Sequence, residues 1–384
     1  ASTHAAGVVI TRDPVASYVP LATNDDVVVT QYVMTTLEEL GLLKMDFLGL
    51  RTLTVIHDAA RAADIDINTI DINDPAVYKL FAAGKTEGIF QFESAGMKEM
   101  LQKLRPTCLE HLIAATSLYR PGPADQIDGY VACANDPSKV RYKTPLLKPI
   151  LENTYGFIVY QEQVMQIFRA LAGYSYGQAD VVRRAMSKKK HAVMEAEREH
   201  FVHGCTDPGN ECPGCVANGI SEKVANEIYD EMSSFASYAF NKSHAACYAY
   251  VAFQTAYLKC HYPSEFMAAL LTSVLDNTGK VIEYSGECAR LGIKVLPPDV
   301  NVSNGGFTAD GSGQIRFGLN AVKNVGRNLI ENVVKGRQNK PYTSLYDFCK
   351  RMHGNELNRR AVECLIKALS LIHISEPTRH SLIS

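Results

Sequence analysis

The sequence predicts a mixed α/β chain that is mainly helical, and three observations carry that reading. β-Branched and aromatic runs concentrate in the first 50 residues, apolar residues recur at helical spacing from Arg51 onwards, and prolines cut the remainder into helix-sized pieces. With 384 residues the chain exceeds one ordinary core, so two or more domains are expected. Hydrophobic residues at 46% and charged residues at 21% give a globular rather than a disordered composition. No apolar run approaches the roughly 18–20 residues that span a bilayer, so the chain is read as soluble, with no membrane partner.

In order along the chain, residues 4–10 (HAAGVVI) read as a core strand entered at once. A chain that opens at Ala1 in this way is expected to be cut from a longer one. Residues 27–33 and 45–48 are further strand-like segments. Leu53, Ile56 and Ala60 then mark the first helix. Residues 153–165, 177–186, 221–235 and 244–258 read as helices, with Pro121, Pro123, Pro208, Pro213 and Pro263 between them. The stretch 291–299 marks another boundary, and a strand follows at 314–318. From Leu369 neither a helical stripe nor a strand alternation continues, and no fold is expected there.

A net charge of −2 gives no global basic field, so any contact with nucleic acid must come from local clusters. Ten cysteines lack the rhythm of a secreted scaffold and are expected to be reduced thiols. Several local groupings can carry chemistry. In a strand, Lys44 and Asp46 share one face and Met45 and Phe47 the other, which suits metal and phosphate work as well as it suits a surface ion pair. Arg183, Arg184, Lys188, Lys189 and Lys190 form a phosphate footprint at a helix end, with Asp180 placed to orient Arg184; a solvated helix C-terminus has the same composition. The stiff run Arg120-Pro121-Gly122-Pro123 presents a guanidinium or simply turns the chain. In 240–246 (FNKSHAA) polar residues open an apolar helix, with Ser243 as a candidate N-cap. Residues 318–327 have the outline of a helix-hairpin-helix, in which Lys323 and Gly326 would face a DNA phosphate and Asn324 stands at the usual first glycine.

Taken together and in this order, the stretches 4–10, 44–54, 86–97, 118–123, 159–167, 180–190, 240–246, 257–271, 292–301 and 348–368 closely resemble the alpha subunits of bacterial DNA polymerase III, the C-family replicative polymerases. The resemblance covers about residues 1–368. It implies the end of a polymerase-beta-like nucleotidyltransferase palm at 1–51 and helical fingers at 52–290. The end of the fingers, with the hairpin element, would follow at 291–368. The implied activity is template-directed dNTP addition to a primer 3′-hydroxyl by a two-Mg²⁺ site, in the bacterial cytoplasm. Asp46 matches the third catalytic, metal-binding aspartate and Lys44 a lysine facing the triphosphate. Arg183 and Arg184 match arginines that grip it, and Arg120, Asn241, Lys242 and His244 match motifs around the nucleotide pocket. Primer-template DNA would meet Lys188–Lys190 and the hairpin. The implied protein partners, the sliding clamp and the proofreading exonuclease subunit, would bind through segments that this chain does not contain.

Three departures qualify the resemblance. The family's first two aspartates and its Gly-Ser motif belong upstream of Ala1, so this polypeptide is expected to be inactive alone. From Leu369 the sequence looks like translated sequencing-library adapter and is read as a non-native tail. The segment 203–215 looks inserted: Cys212-Pro-Gly-Cys215 has knuckle spacing, and Cys205 with His203 or His200 would complete a zinc shell, although an exposed loop with incidental thiols also fits. The competing function is a non-enzymatic DNA-binding module that grips phosphate without chemistry.

Overall fold

The computed structural model describes residues 3–4, 6–24, 26–47, 49–120, 126–187, 191–236, 240–354, 357–368, 370–371 and 374. They fall into two compact units, 1–54 and 55–384.

The first unit holds two antiparallel ribbons and one short helix. Strands β1 (Gly7–Ile10), β2 (Leu21–Asn24) and β3 (Val27–Thr30) precede helix α1 (Met34–Glu39), and β4 (Leu43–Asp46) follows it. β1 pairs with β4, placing Gly7 opposite Asp46 and Val9 opposite Lys44, while β2 pairs with β3. The expected core strand at 4–10 is therefore corrected to a ribbon strand. Val8 and Ile10 remain 49% and 47% exposed, because a two-stranded ribbon by itself covers neither face. The strand read at 27–33 ends at Thr30.

The chain then becomes helical, beginning with α2 (Arg51–Ala62). Next come α3 (Pro75–Ala82), capped by Asp74 with Pro75 in its first turn, α4 (Ala95–Leu104), capped by Ser94, α5 (Leu109–Leu118) and α6 (Ile127–Asn135). The short α7 (Lys148–Leu151) leads to α8 (Gln161–Ala172) and α9 (Tyr176–Ser187). α10 (His191–His203), α11 (Gly214–Ala217) and α12 (Glu222–Ala236) follow. The helix expected at 153–165 starts only at Gln161. Residues 157–159 are not helical, Tyr160 is extended, and the Gln163 side chain takes the N–H groups of Val159 and Tyr160 at 2.8 and 3.0 Å, fixing the start.

The 20-residue α13 (Lys242–His261) is the central post. With α3, α4, α5 and α6 it encloses one core that includes Phe81, Phe92, Leu112 and Phe253, all completely buried. A second core joins α8 to α12 around Phe168 and Phe201. α14 (Pro263–Ser273) and α15 (Thr278–Arg290) pack on α2 in a third. Lys259, itself buried, donates to the carbonyls of Lys85 and Glu87 at 3.0 and 2.8 Å and to the Glu287 carboxylate at 2.7 Å. This saturates a charge that would be costly if left unpaired.

A small sheet of β5 (Val295–Leu296), β6 (Thr308–Ala309) and β7 (Ile315–Arg316) has the order β5-β7-β6. Helices α16 (Arg327–Arg337), α17 (Leu345–Met352) and α18 (Arg359–Lys367) make the last core around Leu329, Val333 and Phe348. Folding was not expected after Leu369, yet Leu371 and Ile374 are buried in that core and the Ser370 carbonyl accepts from the Val300 N–H at 3.0 Å. Apolar side chains one turn beyond α18 are enough to close its end. Residues 375–384 lie outside the described set.

Candidate functional site

In the first unit, alternation along β4 sets Lys44 and Asp46 side by side. Lys44 Nζ lies 2.8 Å from Asp46 Oδ1 and 3.1 Å from Oδ2, and this ammonium holds the Asp46 carboxyl below the usual carboxylate range. Gly7 opposite is needed for the fit, since a Cβ there would stand 2.6 Å from Lys44 Cε and 3.1 Å from Asp46 Oδ1. Met45 and Phe47, on the other face, are 43% and 63% exposed rather than packed. Among the described residues Asp46 belongs to no group of three or more carboxylate, histidine or cysteine side chains that could hold a metal. One carboxylate already paired to a lysine does not satisfy the octahedral oxygen shell of Mg²⁺, so these residues alone do not fit a two-metal centre.

In the second unit, the start of α8 draws most of the expected finger residues together. Tyr160 and Phe240 form a parallel bridge in which Gln161 N–H donates to the Phe240 carbonyl at 2.9 Å. Gln161 Oε1 accepts from Arg183 Nη1 at 3.0 Å. Glu162 accepts from Asn241 Nδ2 at 3.0 Å and from the Lys242 N–H at 3.0 and 3.2 Å. Two adjacent side chains thus join α9 to the start of α13.

Arg183 and Arg184 share Asp180. Arg183 donates Nε and Nη2 to its Oδ1 at 3.0 and 2.7 Å, and Arg184 pairs with its Oδ2. The Arg183 hydrogen bond is the main reason the Asp180 carboxyl sits below its ordinary range. Arg183 is 19% exposed and held on two sides, whereas Arg184 is 68% exposed and projects outward. The sequence reading paired Asp180 with Arg184 only. A helix brings i+3 and i+4 alike to one carboxylate.

Arg120 stacks over the Phe240 ring at 4.1 Å and donates Nε to the Ser117 carbonyl at 3.2 Å; burial lowers its pKa from the ordinary value. Asn241, not Ser243, caps α13, with Oδ1 accepting the His244 N–H at 2.9 Å. A cap side chain reaches the N–H three residues on, and Asn241 has the extended backbone this requires. Lys242 Nζ lies 3.2 Å from Glu110 and over the Tyr160 ring. The exposed His244 is flanked by the rings of Phe240 at 5.3 Å and Tyr248 at 4.3 Å. Gln161, Glu162 and Phe240 were missed from sequence; the one signal was a polar pair opening a helix directly after an extended apolar stretch.

Lys323 and Gly326 sit on the exposed turn before α16, in the part of the unit built on the last core. Asn324 does adopt the left-handed backbone (φ 61°), and Gly326 caps α16. The preceding helix of the hairpin is only a 3₁₀ turn at Leu319–Ala321. A hollow of about 320 Å³ beside it is lined by Lys323, Lys367 and apolar side chains. Lys188, Lys189 and Lys190 fall outside the described residues, as do Pro121 and Pro123.

Of the expected zinc ligands, Cys205, Cys212 and Cys215 are all buried and none is in a disulfide. Burial pushes the Cys215 thiol up to about 12 and raises that of Cys212. The group whose ligand atoms meet within 4.8 Å is instead His200, Cys205 and Asp207. His203, three residues further along the same helix face, lies instead 3.9 Å from Glu199 and from Glu222.

Comparison with known sequences agrees with this architecture. Residues 1–49 match the bacterial DNA polymerase III alpha NTPase domain, 52–209 the bacterial DNA polymerase III alpha subunit finger domain, and 292–382 a helix-hairpin-helix motif. Part of an alpha-subunit NTPase domain followed by polymerase fingers and a helix-hairpin-helix element is the class these define. Curated relatives named DNA polymerase III subunit alpha include that of Bacillus subtilis, 44% identical over 95% of this chain and 32% of the relative. That of Thermus aquaticus is 45% identical over 97% and 31%, and that of Chlamydia muridarum 45% over 95% and 29%. The chain belongs to the bacterial DNA polymerase III alpha subunit family. It spans about a third of the length of the curated relatives it matches. Among the described residues no helix is long and apolar enough to cross a membrane.

Proposed function

We propose that this chain is the part of a bacterial replicative DNA polymerase that receives the incoming nucleotide. The observation that carries this reading is the convergence of Arg120, Arg183, Asn241, Lys242 and His244 on Gln161, Glu162 and Phe240. Arg184 projects from the same helix as Arg183. A triphosphate would compete with Asp180 for both guanidiniums, which are the side chains best shaped to hold phosphate oxygens in pairs. Arg120 stacked on Phe240, and Lys242 held by Glu110, stiffen the surface around them. Lys323, Gly326 and the basic run Lys188–Lys190 would hold the DNA backbone without reading sequence.

Asp46 would supply one carboxylate towards a Mg²⁺ centre that the described residues alone do not complete. For that reason the isolated polypeptide does not extend a primer. Clamp and proofreading partners, and action in the bacterial cytoplasm, follow from the same reading for the longer protein.

The test is steady-state kinetics in a complete enzyme of this family carrying these residues. Arg183→Ala should raise the apparent dNTP KM, with kcat/KM falling on the order of 10²-fold, while primer-template affinity changes far less. Arg184→Ala should behave alike but more mildly. The opposite ranking, DNA affinity lost and dNTP KM kept, would move both arginines to the DNA backbone and favour a binding module.

A further inference from the structure

The loop after α10 closes on itself in a way that chain connectivity alone does not require. Cys205 and Cys212 exchange both backbone hydrogen bonds at 2.9 Å, forming a one-rung antiparallel bridge. Gly204 and Gly214, both with positive φ, lie against each other at the loop's neck. A Cβ on Gly204 would meet the Pro213 and Cys212 carbonyls at 2.6 and 2.7 Å, so the neck tolerates no side chain there. Nine residues between the two glycines are too few to bury a core of their own, which is the situation in which small loops use a metal as a staple.

Three donors of suitable chemistry meet at this neck. His200 comes from the last turn of α10, Cys205 from the bridge, and Asp207 from the turn beyond it, all with ligand atoms within 4.8 Å of one another. The Asp207 N–H donates to Cys205 Sγ at 3.4 Å, holding the loop residue against the sulfur. Glu197, which accepts from the Tyr174 hydroxyl at 3.0 Å, lies 3.9 Å from His200 Nδ1 on the same helix. Cys212 is drawn the other way, its thiol directed at the His200 carbonyl at 3.6 Å.

We infer that His200, Cys205 and Asp207 bind one Zn²⁺ ion, with solvent in the fourth position of a tetrahedral shell. One nitrogen, one sulfur and one carboxylate oxygen suit a borderline-soft ion, and the exposed Asp207 leaves a side of the site open to water. The ion ties the last turn of α10 to the loop. A hollow of about 140 Å³ beside it is lined by Val181 and Val182 of α9, Glu197 and His200 of α10, and Asn210 of the loop. The staple therefore sits against the helix that presents Arg183 and Arg184.

The experiment uses the full chain purified under reducing conditions, stripped with chelator and reloaded with Zn²⁺ or Co²⁺. Elemental analysis after dialysis should give one zinc per chain, and Co²⁺ should show a thiolate charge-transfer band. Cys205→Ser and His200→Ala should lose both signals. Asp207→Asn, at an exposed position where folding is not at stake, should weaken Zn²⁺ binding at least about tenfold. His203→Ala should bind as the parent does. Absence of zinc from the parent chain, retention of the charge-transfer band in Cys205→Ser, loss of zinc in His203→Ala, or a Cys205–Cys212 disulfide in the chain as isolated would each overturn the assignment.

Discussion

The two units hold their functional charges by different means. In the first, Lys44 and Asp46 meet because strand alternation puts i and i+2 on one face, and little else supports them. Val28, Leu43 and Phe47 nearby in sequence are 67%, 61% and 63% exposed. In the second, Arg183 is gripped by Asp180 on its own helix and by Gln161 on another. Behind it, Val182 and Met186 of α9 are buried against α8 and α12. Local geometry can create a pair of opposite charges. Only packing between elements can fix where that pair points.

The sharpest way to test the comparison is at the charges themselves. In a complete enzyme, Asp46→Ala should lower kcat more than about 10³-fold while leaving primer-template binding within a few fold if, as proposed, its carboxylate serves the metal centre and acts in the transition state rather than in docking. Normal extension by that variant, measured as single-nucleotide incorporation, would reduce the Lys44–Asp46 pair to a surface ion pair. The effect should exceed that of either arginine.

Next in size is the difference in packing. Phe253→Ala empties a completely buried position in the α13 core and should cost about 3–5 kcal/mol in urea unfolding of the chain. Val28→Ala on the ribbon, 67% exposed, should change stability by no more than about 0.5 kcal/mol. Equal losses at the two positions would mean that the ribbon face is covered in solution.

The smallest effect concerns Asp180. Its carboxyl is depressed in the folded chain, chiefly by the Arg183 hydrogen bond. It therefore adds stability above its unfolded pKa, about 3.9, and that contribution fades as pH falls through the lower folded value. Acid titration followed by helical signal should show the loss below about pH 4 in the parent chain. Asp180→Asn should be less stable at neutral pH and lack that acid component; identical profiles would show that the pair is too solvated to matter.

Much of this was legible beforehand because it is local. Alternation placed Lys44 beside Asp46. Helical spacing located α9, α12 and α13 to within a few residues, and the tolerance of Asn for a left-handed backbone anticipated the turn at Asn324. Where the reading failed, the deciding contact was one that apolar periodicity does not register, a polar side chain folding back on the preceding backbone or a short apolar tail meeting a core distant in sequence. Gln163, folding back on Val159 and Tyr160, delayed α8 to Gln161. Leu371 and Ile374 found a core that no periodicity announced.

The sequence alone therefore determined the helical character of the chain, the charge pairs at i+2, i+3 and i+4, and the family to which it belongs, because each follows from spacing or from ordered motifs. Tertiary structure decided that Gln161 and Glu162 bind α9 and α13 together, that Arg120 rests on Phe240, and that His200 rather than His203 meets Cys205. Those depend on which faces of separate elements turn towards one another, and burial of the apolar faces sets that orientation only once the chain is packed.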